Sequence, residues 1–112
     1  VPRVLRVHTP NGQHTCAGEY ELVVGEKPNG LPLWKQCGGH HWLYSGKVGR
    51  WCIGGEDVFD KQFQSSAGWI YQIERHSGTM PDQARGIWVR WDGARFKKDA
   101  SISVKAPAIG LL

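Results

Sequence analysis

The sequence predicts an all-β domain: a compact antiparallel sandwich or barrel-like assembly of seven to nine short strands. Three observations carry this expectation. Polar and apolar residues alternate with a period of two in run after run, as in a strand with one face on a core. Fifteen glycines, several of them paired or next to asparagine, aspartate or proline, cut these runs at short intervals, as tight turns do. No long stripe at helical spacing and no alternation of strands with helices appears, which leaves out bundles and parallel α/β folds.

Taken in order, residues 3–8 (RVLRVH) alternate cleanly and read as a strand, and residues 19–24 (EYELVV) as a second with Tyr20, Leu22 and Val24 inward. Asn29-Gly30 between two prolines is a turn signal. Residues 31–55, LPLWKQCGGHHWLYSGKVGRWCIGG, read as three short strands with glycine turns. They contribute Trp34, Trp42, Tyr44, Trp51 and Ile53 to the core, the last four as one inward set. Val58, Phe59 and Phe63 in EDVFDKQFQSS fit one side of a helical turn or an irregular crossover. Two later runs alternate in phase, Trp69, Tyr71, Ile73 and then Ile87, Val89, Trp91, and both phases read as core-facing. Asp92-Gly93 suits a two-residue hairpin turn that sets Trp91 opposite Ala94 and Val89 opposite Phe96. In SISVKA, Ile102 and Val104 share one face of a closing strand.

A chain of 112 residues makes a single β-rich module over residues 1–112, with room for one core. Hydrophobic residues at 40% and charged residues at 21% are globular proportions, and no apolar run approaches the roughly 18 residues that a membrane-spanning helix needs. The start at Val1 suggests an excised piece, and residues 106–112 read as a linker or docking tail in which Ile109, Leu111 and Leu112 bury against this domain or a partner. Three cysteines are odd in number and sparse for a disulfide framework, which favours free thiols in a reducing, intracellular compartment.

The side chains that could carry chemistry are few. Cys37 and His40 form a Cys-x-x-His pair to which His14 and Cys16 could add two zinc ligands, but His14 and Cys16 stand closer together than in a usual zinc knuckle. The simpler reading is buried thiols and solvent-facing histidines, with no structural metal and no cofactor. Five histidines allow a cysteine–histidine pairing on paper. No nucleophile elbow, phosphate-cradling loop or HExxH helix accompanies them, so no enzymatic activity is expected. An aromatic platform would need Trp34, Trp42, Trp51 or Trp88 exposed. Of these, Trp88 falls out of phase with Ile87, Val89 and Trp91 and shares its side with Arg90 and Asp92, so it either covers a second layer or lies on the surface, where it could touch a partner. The net charge of +4 gathers towards the C-terminus, where residues 85–105 hold six basic residues against Asp92 and Asp99.

The order of short motifs, GEYELV, PNGLPLW, WLYSG, GRWCIGG, HSGTMP, WDGARF and ISV, resembles a tryptophan- and glycine-rich module that recurs in large multidomain proteins of algae and other protists. The likeness spans residues 18–104, with matches at Gly18, Tyr20, Asn29, Gly30, Pro32, Trp34, Leu43, Tyr44, Trp51, Ile53 and Gly54. It implies an accessory, often repeated, noncatalytic module and points to no active site, and CGGHH departs from its pattern. The function expected is therefore binding or assembly through protein–protein contacts, centred on Trp88, Arg90, Arg95, Lys97 and Lys98. A carbohydrate-binding module using tryptophan platforms is the alternative, and weak nucleic-acid binding comes third, because +4 is small for a dedicated binder.

Overall fold

The computed structural model describes residues 1–65 and 68–107, so the expected docking of Ile109, Leu111 and Leu112 lies outside the described residues. The fold is all-β. Among the described residues nine antiparallel strands, β1 (Val4–His8), β2 (Gly18–Leu22), β3 (Trp34–Gln36), β4 (Trp42–Ser45), β5 (Trp51–Gly54), β6 (Ile70–Gln72), β7 (Trp88–Trp91), β8 (Phe96–Asp99) and β9 (Ser103–Lys105), form one sheet, accompanied by one short α-helix, α1 (Glu56–Asp60), and two 3-10 turns. The sheet order is β8-β7-β6-β5-β4-β3-β2-β1-β9, a meander whose last strand returns to the free side of the first.

That return dictates the shape. A flat sheet of nine strands would hold its edges about 38 Å apart at about 4.8 Å per strand. Yet β8 ends at Asp99 and the opposite edge, β9, begins at Ser103. The intervening steps of chain reach at most about 14 Å. The sheet therefore curls into a half-barrel. The loop after β1 laces the opening: Asn11 Nδ2 donates to Asp99 Oδ1 (3.0 Å), Gln13 Nε2 donates to the Trp91 carbonyl (2.8 Å), and Gly12 lies against the Arg90 guanidinium.

The concave side holds the main core, with Leu5, Val7, Cys16, Tyr20, Trp34, Leu43, Trp51, Ile53, Ile70, Trp88, Ile102 and Val104 buried together. β1 and β9 match the sequence reading, with Leu5, Val7, Ile102 and Val104 inward. β4 does not. Leu43 pairs with Ile53 and Tyr44 with Cys52, so Trp42 and Tyr44 point away from Trp51 and Ile53 into a second cluster on the convex side with Leu33, Cys52, Val58 and Phe63. Both faces of β4 and β5 are buried because α1 covers the outer one. Gly54 permits this close cover, since a Cβ there would run into Val58. The expected helical turn is thus real, with Val58 and Phe63 inward, whereas Phe59 is exposed and stacks on Trp42 (4.8 Å, 20°). Val24 lies beyond the end of β2, in water.

The residues that carry the family resemblance turn out to be framework. Tyr20 donates to the Cys16 carbonyl (2.6 Å), and Asn29 Nδ2 to the carbonyls of Ser45 and Phe63 (2.8 Å each). Trp34 Nε1 donates to Pro2 (2.9 Å) and Trp51 Nε1 to Thr79 (2.7 Å). CGGHH also has a packing explanation. Buried Gln36 donates to Thr15 and Ala17 (2.7 and 2.9 Å) and its Oε1 accepts from His41 Nδ1 (2.8 Å), while Gly39 leaves the space the Gln36 side chain fills.

Candidate functional site

β6, β7 and β8 reverse the facing that their alternation suggests. Registers Ile70↔Arg90, Gln72↔Trp88, Arg90↔Lys97 and Trp88↔Asp99 put Ile70, Gln72, Trp88 and Arg90 on the concave side. Trp88, expected either to cover a second layer or to lie on the surface and touch a partner, is only 5% exposed and belongs to the main core. Alternation gives its phase but not its direction, because the inward face of these strands carries the polar residues Gln72, Arg90 and Asp99. The residues in phase with one another, Trp69, Tyr71, Ile73 and Ile87, Val89, Trp91, lie on the convex face.

Arg90, also expected at the surface, is instead half of a buried ion pair, with Nε 2.9 Å from Asp99 Oδ2. Asp99 further accepts from Asn11 and from the Ser101 amide (3.0 Å each). Burial pushes its carboxyl upwards, but the bond from Arg90 with those from Ser101 and Asn11 outweighs it, leaving Asp99 below the ordinary carboxylate range. Arg95, Lys97 and Lys98 are exposed along the hairpin as expected. Only Lys98 shares the convex face, opposite Val89, while Lys97 follows Arg90 to the concave side at the open edge.

The hairpin register is also displaced. Trp91 pairs with Phe96, and the Asp92 amide donates to Arg95 (3.0 Å), so the turn proper is Gly93-Ala94. Asp92 Oδ1 accepts from the amides of Ala94 and Arg95 (2.8 and 2.9 Å), which makes Asp92 the anchor of the turn instead of its first central residue. The slip is of two residues, so Val89, Trp91 and Phe96 still share one face.

The convex face of these three strands therefore presents aromatic residues in rows. Trp91 N–H donates to the Trp69 carbonyl (2.8 Å), which places the two tryptophans side by side, with Phe96 next along. The row behind is Tyr71, Val89, Lys98. Trp91 and Tyr71 each meet Phe96 edge-on (5.1 and 5.0 Å). Trp69 is 40% exposed, Phe96 38% and Ile87 43%, and α1 stops short of covering them. Where the helix meets the row, a notch of about 280 Å³ opens between Asp57, Val58, Gly68, Trp69, Trp91 and Phe96. A larger groove runs past Val23, Lys35, Trp42, Phe59 and Phe63, but the Trp42 ring there is 6% exposed, stacked under Phe59 and approached by Lys35 Nζ (5.6 Å). The four tryptophans considered as platforms from the sequence, Trp34, Trp42, Trp51 and Trp88, are all buried; the available rings are Trp69 and Trp91.

The candidate metal ligands do not gather. Cys16 is buried in the main core, Cys37 is exposed, His14 Nε2 donates to the Pro10 carbonyl (3.2 Å), and His40 faces Glu56 (3.4 Å). Among the described residues no three His, Cys, Asp or Glu side chains cluster as metal ligands. Cys16, Cys37 and Cys52 form no disulfide, and none is an activated thiolate. Burial pushes Cys16 and Cys52 up to about 12, and desolvation with Glu21 and Glu19 nearby raises Cys37.

Ser45 Oγ lies 2.8 Å from His76 Nε2, the spacing of a nucleophile and its base. The protons run the other way. His76 Nδ1 accepts from the Gly78 amide (2.9 Å), so in the neutral ring Nε2 carries the proton and donates to Ser45, which in turn donates to the Gly46 carbonyl (3.3 Å). Ser45 is 2% exposed, and the pair is a buried structural bond.

Comparison with protein-family models, curated proteins and solved structures finds no match to this chain.

Proposed function

We propose that this chain is a noncatalytic binding and assembly module that engages a protein partner through the convex face of β6–β8, as one version of the tryptophan- and glycine-rich module it resembles. The observation that carries the reading is the row of exposed Trp69, half-buried Trp91 and exposed Phe96 in a protein that buries its other four tryptophans. Exposed tryptophan beside tyrosine and basic side chains is the composition of interface hot spots, and a clustered apolar face on a small domain marks a contact site. Lys98 supplies a polar rim to this face at the edge strand, while Arg95 and Lys97 are exposed at the open edge beside it.

A photoreactive phenylalanine at Phe96, with one at exposed Val24 as control, tests the proposal in an extract of the source cells. The Phe96 position should give one adduct of defined mass, competed by excess unmodified chain and not by a Trp91→Ser chain. Equal labelling from both positions, or equal competition by both chains, would overturn it. A saccharide is the competing ligand for the two rings, since Trp69 and Trp91 flank the Asp57 carboxylate. A glycan array separates the readings: retention of one glycan class, lost in Trp69→Ala, would favour the saccharide.

A further inference from the structure

We propose that the notch between α1 and the aromatic row receives a single cationic group, a lysine, methyl-lysine or arginine head from the partner, held by cation–π contact and by Asp57. The inference rests on the docking reading above and names the chemistry of the contact.

Its volume of about 280 Å³ falls just below the roughly 300–1,000 Å³ of sites that take whole small molecules, which suits one side-chain head. Its walls are aromatic: Trp91 and Phe96 stand at 65° with centroids 5.1 Å apart, a corner instead of a flat shelf, and Trp69 adjoins them across the strand pairing. Such rings present negative faces to a cation. Asp57, the one charged residue among the described residues lining the notch, comes from the first turn of α1, and its Oδ1 approaches Gly55 from the same side as Trp69 Nε1 (3.8 and 3.6 Å from the Cβ position). The ion pairs among the described residues are Arg6–Glu19, His40–Glu56 and Arg90–Asp99, none of which uses Asp57. The carboxylate is therefore available to an external charge.

The alternatives fit less well. An aliphatic side chain would strip water from Asp57 and return nothing, and an anion would meet like charge. A saccharide presents hydroxyls around its whole ring, whereas among the described lining residues the polar side-chain groups are Asp57 and the indole N–H groups of Trp69 and Trp91. A cation uses both the rings and the carboxylate. The exposed Lys98 on the same face adds a second requirement, since a partner with one cation beside an acidic residue would satisfy the notch and its basic neighbour together.

The test uses choline and its neutral carbon isostere, 3,3-dimethyl-1-butanol, titrated into the chain while the indole N–H resonances of Trp69 and Trp91 are followed by NMR. Choline should shift both resonances saturably and bind about tenfold more tightly than the isostere. Asp57→Asn should weaken choline several-fold and leave the isostere unchanged, while Glu56→Gln, which removes an equal charge from the same turn outside the notch, should change neither. Equal binding of the two probes, no saturable shift with choline, or equal effects of the two substitutions would each overturn the inference. If the Phe96 adduct still forms in that event, the docking reading stands and only the cation is wrong.

Discussion

Arg90→Met tests how the half-barrel is held shut. Arg90 and Asp99 sit where β7 and β8 meet the loop after β1, with side-chain exposures of 13% and 5% and a separation of 2.9 Å. Removing one member of such a pair leaves the other charge buried, a loss of about 3–5 kcal/mol. Asp99 keeps the donors Asn11 Nδ2 and the Ser101 amide, so the lower end, about 3 kcal/mol, applies here. A domain of this size has roughly 5–15 kcal/mol of stability in all. Urea unfolding followed by tryptophan fluorescence measures the loss, and pH supplies its signature. In the wild type the Asp99 carboxyl is depressed, so its contribution is complete above the unfolded carboxylate pKa of about 3.9 and lost as pH falls through the lower folded value. Without Arg90, burial dominates and raises the folded pKa above the unfolded one, so the variant tolerates acid better. The gap between the two proteins should narrow as pH falls from 7 to 4. A loss under about 1 kcal/mol, or a gap that widens on acidification, would show a solvent-screened pair and refute the account of the seam.

Further outcomes follow from the same packing. Trp88→Ala should lose about 3–5 kcal/mol and Trp69→Ala about 1 kcal/mol or less, read from urea midpoints, because one ring is in the core and the other faces water. Gly68→Ala should destabilise by about 1–3 kcal/mol or more, since its Cβ would press on the Ile53 carbonyl of β5, which cannot move aside as a side-chain tip could. Burial lowers the pKa of His76, and burial with the nearby His40 charge lowers that of His41. Their stability contributions are complete above the unfolded value of about 6.5 and are lost as pH falls through the folded values. Urea midpoints at pH 7 and pH 5 should differ less in His76→Gln/His41→Gln than in the wild type.

Legibility in the sequence followed the distribution of water around the sheet. Leu5, Val7, Ile102 and Val104 were readable because each strand that carries them has a core on one side and solvent on the other. β4 and β5 hid their facing because α1 buries the second side as well, so Trp42 and Trp51 looked alike while pointing in opposite directions. For β6 and β7 the alternation was sound, but period alone carries no direction. These strands turn Gln72 and Arg90 inward, where Gln72 Nε2 donates to the Ala84 and Gly86 carbonyls and Arg90 to Asp99, and turn Trp69, Tyr71 and Trp91 outward. A polar residue between two apolar ones reads as the solvent side of a strand, whereas Arg90 turns inward to pair with an aspartate nine residues on. The displaced turn at Asp92 has a similar origin, since an Asp-Gly pair serves as readily with its side chain anchoring the turn as with its backbone inside it. The wrap of β9 onto β1 had no signal in the alternation, because it follows from chain reach.

The most direct test of the central claim is a competition with the chain carrying Trp69→Ser, Trp91→Ser and Phe96→Ser together. Its circular dichroism should match the wild type, because these side chains lie outside both cores. As an unlabelled competitor it should fail to displace the photoreactive Phe96 chain from its adduct at concentrations where the wild-type chain displaces it fully. A folded triple variant that competes as well as the wild type would show that the aromatic face of β6–β8 is not where this protein meets its partner.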